Sequence, residues 1–172
     1  MVRAALGRNT RLSRGPRSWA GAVPAASVLV VALIALLPIV AAHGWGPDAG
    51  LVMLLAWRIR RADAWPAWWA APMGFANDLV TGQPIGLSTA WWALVTLAME
   101  VLDRRTMWRD YWLEWAIAML FIAGGTTLAW KVAAWQGAPV PFELVLPNLL
   151  LGIMLYPLAA ALVATLDRWR LG

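Results

Sequence analysis

The chain has 172 residues, 62% of them hydrophobic and only 13% charged, with a mean hydropathy of +0.64. Soluble domains do not carry that composition, so the expected class is an all-α integral membrane protein, and at roughly 20 residues per crossing the length allows five or six spans and no soluble domain besides. A net charge of +5 would suggest nucleic acid as partner of a soluble protein, but here the Arg residues read as topology signals, and the lack of cysteine excludes disulfides and thiolate metal sites.

Residues 1–21 carry Arg3, Arg8, Arg11, Arg14 and Arg17 among Gly, Ser and Pro. That composition cannot build a core, and predicts a disordered tail that sets topology and anchors to anionic lipid. Residues 22–170 are read as one transmembrane domain. Its first apolar run, 22–42, is interrupted only by Ser27 and Pro38. Val40-Ala41-Ala42 would pass for a signal-peptide cleavage site, but the charge map needs this run as a span.

Gly46-Pro47-Asp48 reads as a helix start, with Pro suited to the first turn and Asp favoured by the positive helix end. The span that follows, 48–59, is the weakest of the set, because few uncharged residues separate Asp48 from Arg58. After Arg58-Ile-Arg60-Arg61, a third segment runs from about Ala67 to Thr81, and Gly82-Gln-Pro84 ends it. The fourth covers about Leu87–Leu102, the fifth Trp112–Ala134 and the sixth Phe142–Leu166. The sixth contains Pro147 and Pro157 and stops before Asp167-Arg168-Trp169-Arg170.

With the amino terminus in the cytoplasm, six spans put the basic clusters at 3–17, 58–61, 104–109 and 168–170 on one side. Thirteen of the 14 Lys and Arg residues are then inside, with Lys131 the exception. The Trp residues agree with this topology. Trp19, Trp57, Trp65, Trp108, Trp112 and Trp169 fall near expected inner boundaries, and Trp45, Trp91, Trp130 and Trp135 near outer ones, as amphipathic indoles should. The pairs Trp68-Trp69 and Trp91-Trp92 are the candidates for a Trp-lined binding site instead.

Catalytic chemistry is not expected. His43 is the only histidine and has no partner cluster, there is no phosphate-cradling loop, and Glu100, Asp103, Glu114 and Glu143 sit at helix ends. No cofactor or metal is called for.

The stretch that stands out is Gly74-Phe-Ala-Asn-Asp78-Leu-Val-Thr-Gly82-Gln-Pro84-Ile-Gly86, where Gly, Asp, Gly and Gly recur at intervals of four. On a helix these positions form one stripe, a shallow groove with a carboxylate in it. Asp78 lies about 20 Å along its segment by helical rise, near a carboxyl end whose dipole disfavours negative charge. Two arrangements would relieve it. One is an ion pair with Lys131, at similar depth; the other is capping of backbone amides in the Gly82–Gly86 turn.

Pro47-Asp48, the basic break at 58–61, the spacing Gly74, Asp78, Gly82, Pro84, Gly86, and Pro147-Asn148 with Tyr156-Pro157 in the last span together resemble the rod shape-determining MreD family. The resemblance runs along nearly the whole chain. It departs in the Trp content and the long Arg-rich tail. It implies a non-enzymatic, multi-pass subunit of the bacterial inner membrane, with both termini cytoplasmic. Such a subunit would bind MreC and work alongside MreB, RodA and a class B penicillin-binding protein in lateral peptidoglycan synthesis. It also implies packing similar to the substrate-binding subunits of energy-coupling-factor vitamin transporters, and membership of that class is the alternative reading.

Overall fold

Residues 19–37, 46–105 and 110–171 are described by this computed structural model, and they are helical, with no strand among them. Six α-helices follow one another: α1 (Val23–Ala32), α2 (Ala49–Arg60), α3 (Ala70–Thr81), α4 (Leu87–Arg105), α5 (Tyr111–Trp135) and α6 (Phe142–Leu171). Short 3-10 turns follow α1 and α2 and lead into α3. The six overlap the expected segments; α1 passes into a 3-10 turn after Ala32, α4 runs on through Asp103, Arg104 and Arg105, and a further difference lies at the end of α6. Asp167, Arg168, Trp169 and Arg170 continue α6 instead of following it, because Asp167 and Arg170 pair across one helical turn at 2.6 Å. Positions 38–42 of the first expected span, most of the basic tail, His43, Trp45, Trp108 and Arg109 lie outside the described residues.

Helix α2 is the axis of the bundle. Every residue from Gly50 to Ile59 is buried, and α1, α4, α5 and α6 all pack on it. The segment that is weakest as an isolated span is therefore the most enclosed. Enclosure also explains its length: at 1.5 Å per residue its 12 residues reach only about 18 Å, but a helix wrapped by protein need not match a bilayer. Its one buried charge, Arg58, meets Asp103 of α4 at 2.8 Å.

Contacts between helix ends fix the directions. At one end, Arg58 at the close of α2 pairs with Asp103 near the close of α4, Arg61 pairs with Asp167 of α6 at 3.3 Å, and Trp19, just before α1, packs on Trp169 of α6 at 4.6 Å. At the opposite end, Asp48, Asn77 and Ser88 join the start of α2, the close of α3 and the start of α4. There too, Trp130 of α5 donates to Val140 O and packs on Phe142 at the start of α6. Successive helices thus alternate in direction. Arg58, Arg60, Arg61, Arg168 and Arg170 lie at one end and Lys131 at the other.

Two indole bonds tie the layers. Trp57 of α2 donates to Ser27 Oγ of α1 at 2.8 Å. Trp115 of α5 donates to Ile153 O at 3.3 Å, and Ile153 is four residues before Pro157, which has no N–H to offer that carbonyl. Trp57 and Trp65 are core residues and not part of a surface belt, whereas Trp19, Trp112 and Trp169 at the basic end and Trp135 at the other are exposed. Helices α5 and α6, with 25 and 30 residues, are long and apolar enough to cross a membrane.

The tightest seam is α3 against α4. A Cβ on Gly74 would lie 2.7 Å from Ser88 O and from Thr89 Cα, both backbone atoms that cannot swing away. Gly74→Val should therefore destabilise the fold by about 1–3 kcal/mol, read as a lower melting midpoint of the purified protein, while Gly21→Ala, which meets nothing within 4 Å, should leave it unchanged.

Candidate functional site

The turn between α3 and α4 is built on two left-handed glycines. Gly82 closes α3 at φ 67°, and Gly86 stands before Leu87 at φ 99°. A side chain is costly in that conformation, and Pro84 between them cannot continue a helix. A Cβ at either glycine would meet nothing within 4 Å, so within the chain these two shape the backbone and do not serve close packing. Only Gly74 of the expected small-residue stripe serves close approach.

The turn delivers the first amides of α4 to Asp78, whose side chain is buried. Oδ1 accepts from Ser88 N at 2.7 Å, and Oδ2 accepts from Gly86 N at 2.8 Å, Thr89 N at 3.3 Å and Thr89 Oγ1 at 3.0 Å. Amino-terminal amides have no partner within their own helix, and the macrodipole favours an anion beside them. The carboxylate of α3 thus caps α4.

The expected Asp78–Lys131 ion pair is corrected by this geometry. Lys131 is exposed on α5, with its ammonium 4.7 Å from the centre of its neighbour Trp130. Four hydrogen bonds and the start of α4 supply what the pair would have supplied, without carrying a lysine into the bundle.

Asn77, which the sequence reading passed over, links the cap to α2. Its amide nitrogen lies 3.3 and 3.4 Å from the two Asp48 oxygens and 3.1 Å from Ser88 Oγ. Asp48 is the residue that caps α2, accepting from Leu51 N at 2.9 Å. A Cβ on Gly50 would come within 2.7 Å of Asn77 Oδ1, so that glycine makes room for the junction. The signal available in the sequence was the adjacency Asn77-Asp78, two polar residues in an apolar segment.

Beside the junction opens a cleft of about 530 Å3. Pro47, Asp48, Gly82, Pro84 and Asn148, taken from three separate stretches of the chain, all line it, as do Ser88, Trp91, Trp92 and Trp130. Trp91 lies against two further glycines: a Cβ on Gly124 or Gly125 would sit 2.7 Å from its ring. Of the two Trp pairs, Trp91-Trp92 thus belongs to the cleft. Trp68 and Trp69 stack edge-on at 5.7 Å elsewhere, next to Trp65. Tyr156 is buried deeper along α6, Pro157 follows it, and neither lines the cleft. Among the described residues no group of three His, Cys, Asp or Glu could hold a metal ion.

Comparison with family models, curated proteins and solved structures returns no match to the chain.

Asp78→Ala should leave three backbone amides of the turn without their acceptor and cost about 2 kcal/mol or more in thermal melts, with Asp78→Asn intermediate because an amide oxygen can still accept. Lys131→Ala should be silent in the same assay. The exchanged pair Asp78→Lys with Lys131→Asp should be no more stable than Asp78→Lys alone; recovery of stability would show that the two charges do interact.

Proposed function

We propose that the chain is a non-enzymatic, six-span subunit of the bacterial cell-elongation machinery, an inner-membrane protein similar to the MreD family. In this reading it binds MreC and supports MreB-guided lateral peptidoglycan synthesis with RodA and a class B penicillin-binding protein. One observation carries it. Of the positions that carry the resemblance along the sequence, 47, 48, 82, 84 and 148 converge on one cleft. Asp78, Gly74 and Gly86 form the capped seam behind it.

Six crossings are supported by two features. Large apolar side chains are exposed on α1, α3, α4, α5 and α6, for example Val30, Phe75, Leu97, Leu120 and Leu158, a surface that water would penalise and lipid tails would not. Every described Arg lies in or next to a helix end on the side of the Arg61–Asp167 contact, the arrangement that the positive-inside rule requires of cytoplasmic loops. Both termini are then cytoplasmic, and the cleft faces the extracytoplasmic side.

The absence of cysteine makes the topology directly testable. In spheroplasts, a membrane-impermeant maleimide should label Gln136→Cys at once and Asp63→Cys only after permeabilisation; the reverse order would overturn the orientation. For the function, tagged protein solubilised from its native membrane should retain MreC, and depletion should turn rods into spheres. Retention of an ATPase and a coupling subunit, with a vitamin bound, would instead establish the transporter alternative.

A further inference from the structure

Helices α1 and α6 both pack on α2, and between them an apolar groove of about 520 Å3 stays open, with the buried Met53 of α2 as its floor. Ala22, Ala26 and Val30 in one wall and Leu162 and Trp169 in the other are exposed, so nothing among the described residues covers it. The groove's one hydroxyl, on Ser27, donates to Pro24 O and accepts from the Trp57 indole, both at 2.8 Å. An occupant therefore finds an apolar wall along the length of the groove.

The basic end of the groove is different. Trp19 closes it against Trp169, with ring centres 4.6 Å apart. Arg168 is exposed and donates to Thr165 Oγ1 at 3.3 Å, which keeps its guanidinium over the turn between Leu162 and Leu166. The neighbouring Asp167 is already engaged by Arg61 at 3.3 Å and by Arg170 at 2.6 Å, and Arg61 also meets Asp63 at 3.5 Å. Three guanidiniums thus stand against two carboxylates, and the unmatched one, Arg168, has no carboxylate partner among the described residues.

We propose that this groove holds one acyl chain of an anionic diacyl phospholipid, with the phosphate-bearing headgroup beside Arg168 and the Trp19–Trp169 pair.

Three properties select this occupant. The first is length: from Val23 to Val31 the groove runs for about 12 Å by helical rise, and the turn carrying Trp19 extends it, which approaches the roughly 15 Å of hydrocarbon in one leaflet. The second is width. A partner helix, about 10–12 Å across with its side chains, would lie over a groove of this volume without entering it, whereas a single hydrocarbon chain enters. The third is charge. Indoles favour the level of the headgroups, and a guanidinium beside them attracts an anionic lipid and gives a neutral one no such gain. The proposal rests on the membrane-spanning reading above and not on the elongation role.

The test uses the full chain, delipidated and reconstituted in nanodiscs of equimolar phosphatidylcholine and phosphatidylglycerol with identical acyl chains, and reads retained lipid by native mass spectrometry. Wild-type protein should keep one phosphatidylglycerol per chain, about fivefold or more in preference to phosphatidylcholine. Ala26→Phe fills the groove from an exposed position, so it should melt at the wild-type midpoint and lose the retained lipid at least about tenfold; Ala22→Phe blocks the same wall and serves if Ala26→Phe does not fold. Arg168→Gln should lower the preference for phosphatidylglycerol about fivefold, while Lys131→Gln, the same change of net charge at the opposite end, should leave it unaltered. Retention of neither lipid or of both equally, retention that a folded blocking variant leaves unchanged, or equal loss of preference in Arg168→Gln and Lys131→Gln overturns the proposal. So does a second copy of the chain retained in place of lipid. A chain that fails to enter the bilayer at all would overturn the membrane-spanning reading itself, whereas one that enters without selective retention overturns the lipid site alone.

Discussion

The arrangement of this bundle depends on one carboxylate used as a helix cap. Asp78 belongs to α3, and the amides it receives belong to the start of α4. Those amides would otherwise be buried donors without acceptors, and the carboxylate would otherwise be a buried anion without a partner; each removes the other's penalty. The geometry follows from the turn. Only a chain reversed through left-handed residues at 82 and 86 brings the first turn of α4 back over Asp78, and only a glycine at 74 lets the two backbones close beneath it. Sequence spacing, turn chemistry and packing thus state a single requirement three times, which is how a short segment specifies a unique arrangement.

From that junction the constraint spreads through Asn77. Its amide reaches Asp48 and Ser88, so the close of α3 is bonded to the starts of both α2 and α4. At the far end of α2, Arg58 and Arg61 engage Asp103 and Asp167. The central helix is held by polar contacts at its two ends and by apolar packing between them, and the outer helices wrap it. The cleft is the space that remains beside the junction where α2, α4, α5 and α6 converge, walled by indoles that two adjacent glycines of α5 allow to lie close.

Most of the element pattern was legible in the sequence, because Gly82, Pro84, Gln136-Gly137 and the basic breaks punctuate apolar runs with a clear physical meaning. The start of α2 at Asp48 was legible for the same reason. Four things were not. The rank of α2 was inverted, since apolar length measures how well a helix faces lipid and says nothing of one that faces protein on all sides. The stripe of glycines at intervals of four implied one groove, but two of its members lie beyond the helix, where the period of 3.6 no longer governs and φ alone sets the residue. The partner of Asp78 was open between Lys131 and the turn, because a charge map counts side chains and omits the amides at a helix start, which have no letter in the sequence. Gly124-Gly125 gave no pattern of its own, since its role exists only once Trp91 is brought beside it, and Asn77 showed only as a second polar residue next to Asp78.

The central claim, that Asp78 of α3 supplies the hydrogen-bond acceptor for the first turn of α4, is tested most directly by hydrogen exchange at single amides. In protein selectively 15N-labelled at Ser and Gly, the Ser88 and Gly86 amides should exchange as slowly as amides in the interior of α4. In Asp78→Ala they should exchange far faster, while the amide of Gly124, within α5, keeps its protection. Equal exchange of Ser88 and Gly86 in the two proteins would mean that the carboxylate does not hold them, and the account of the bundle built on that cap would be wrong.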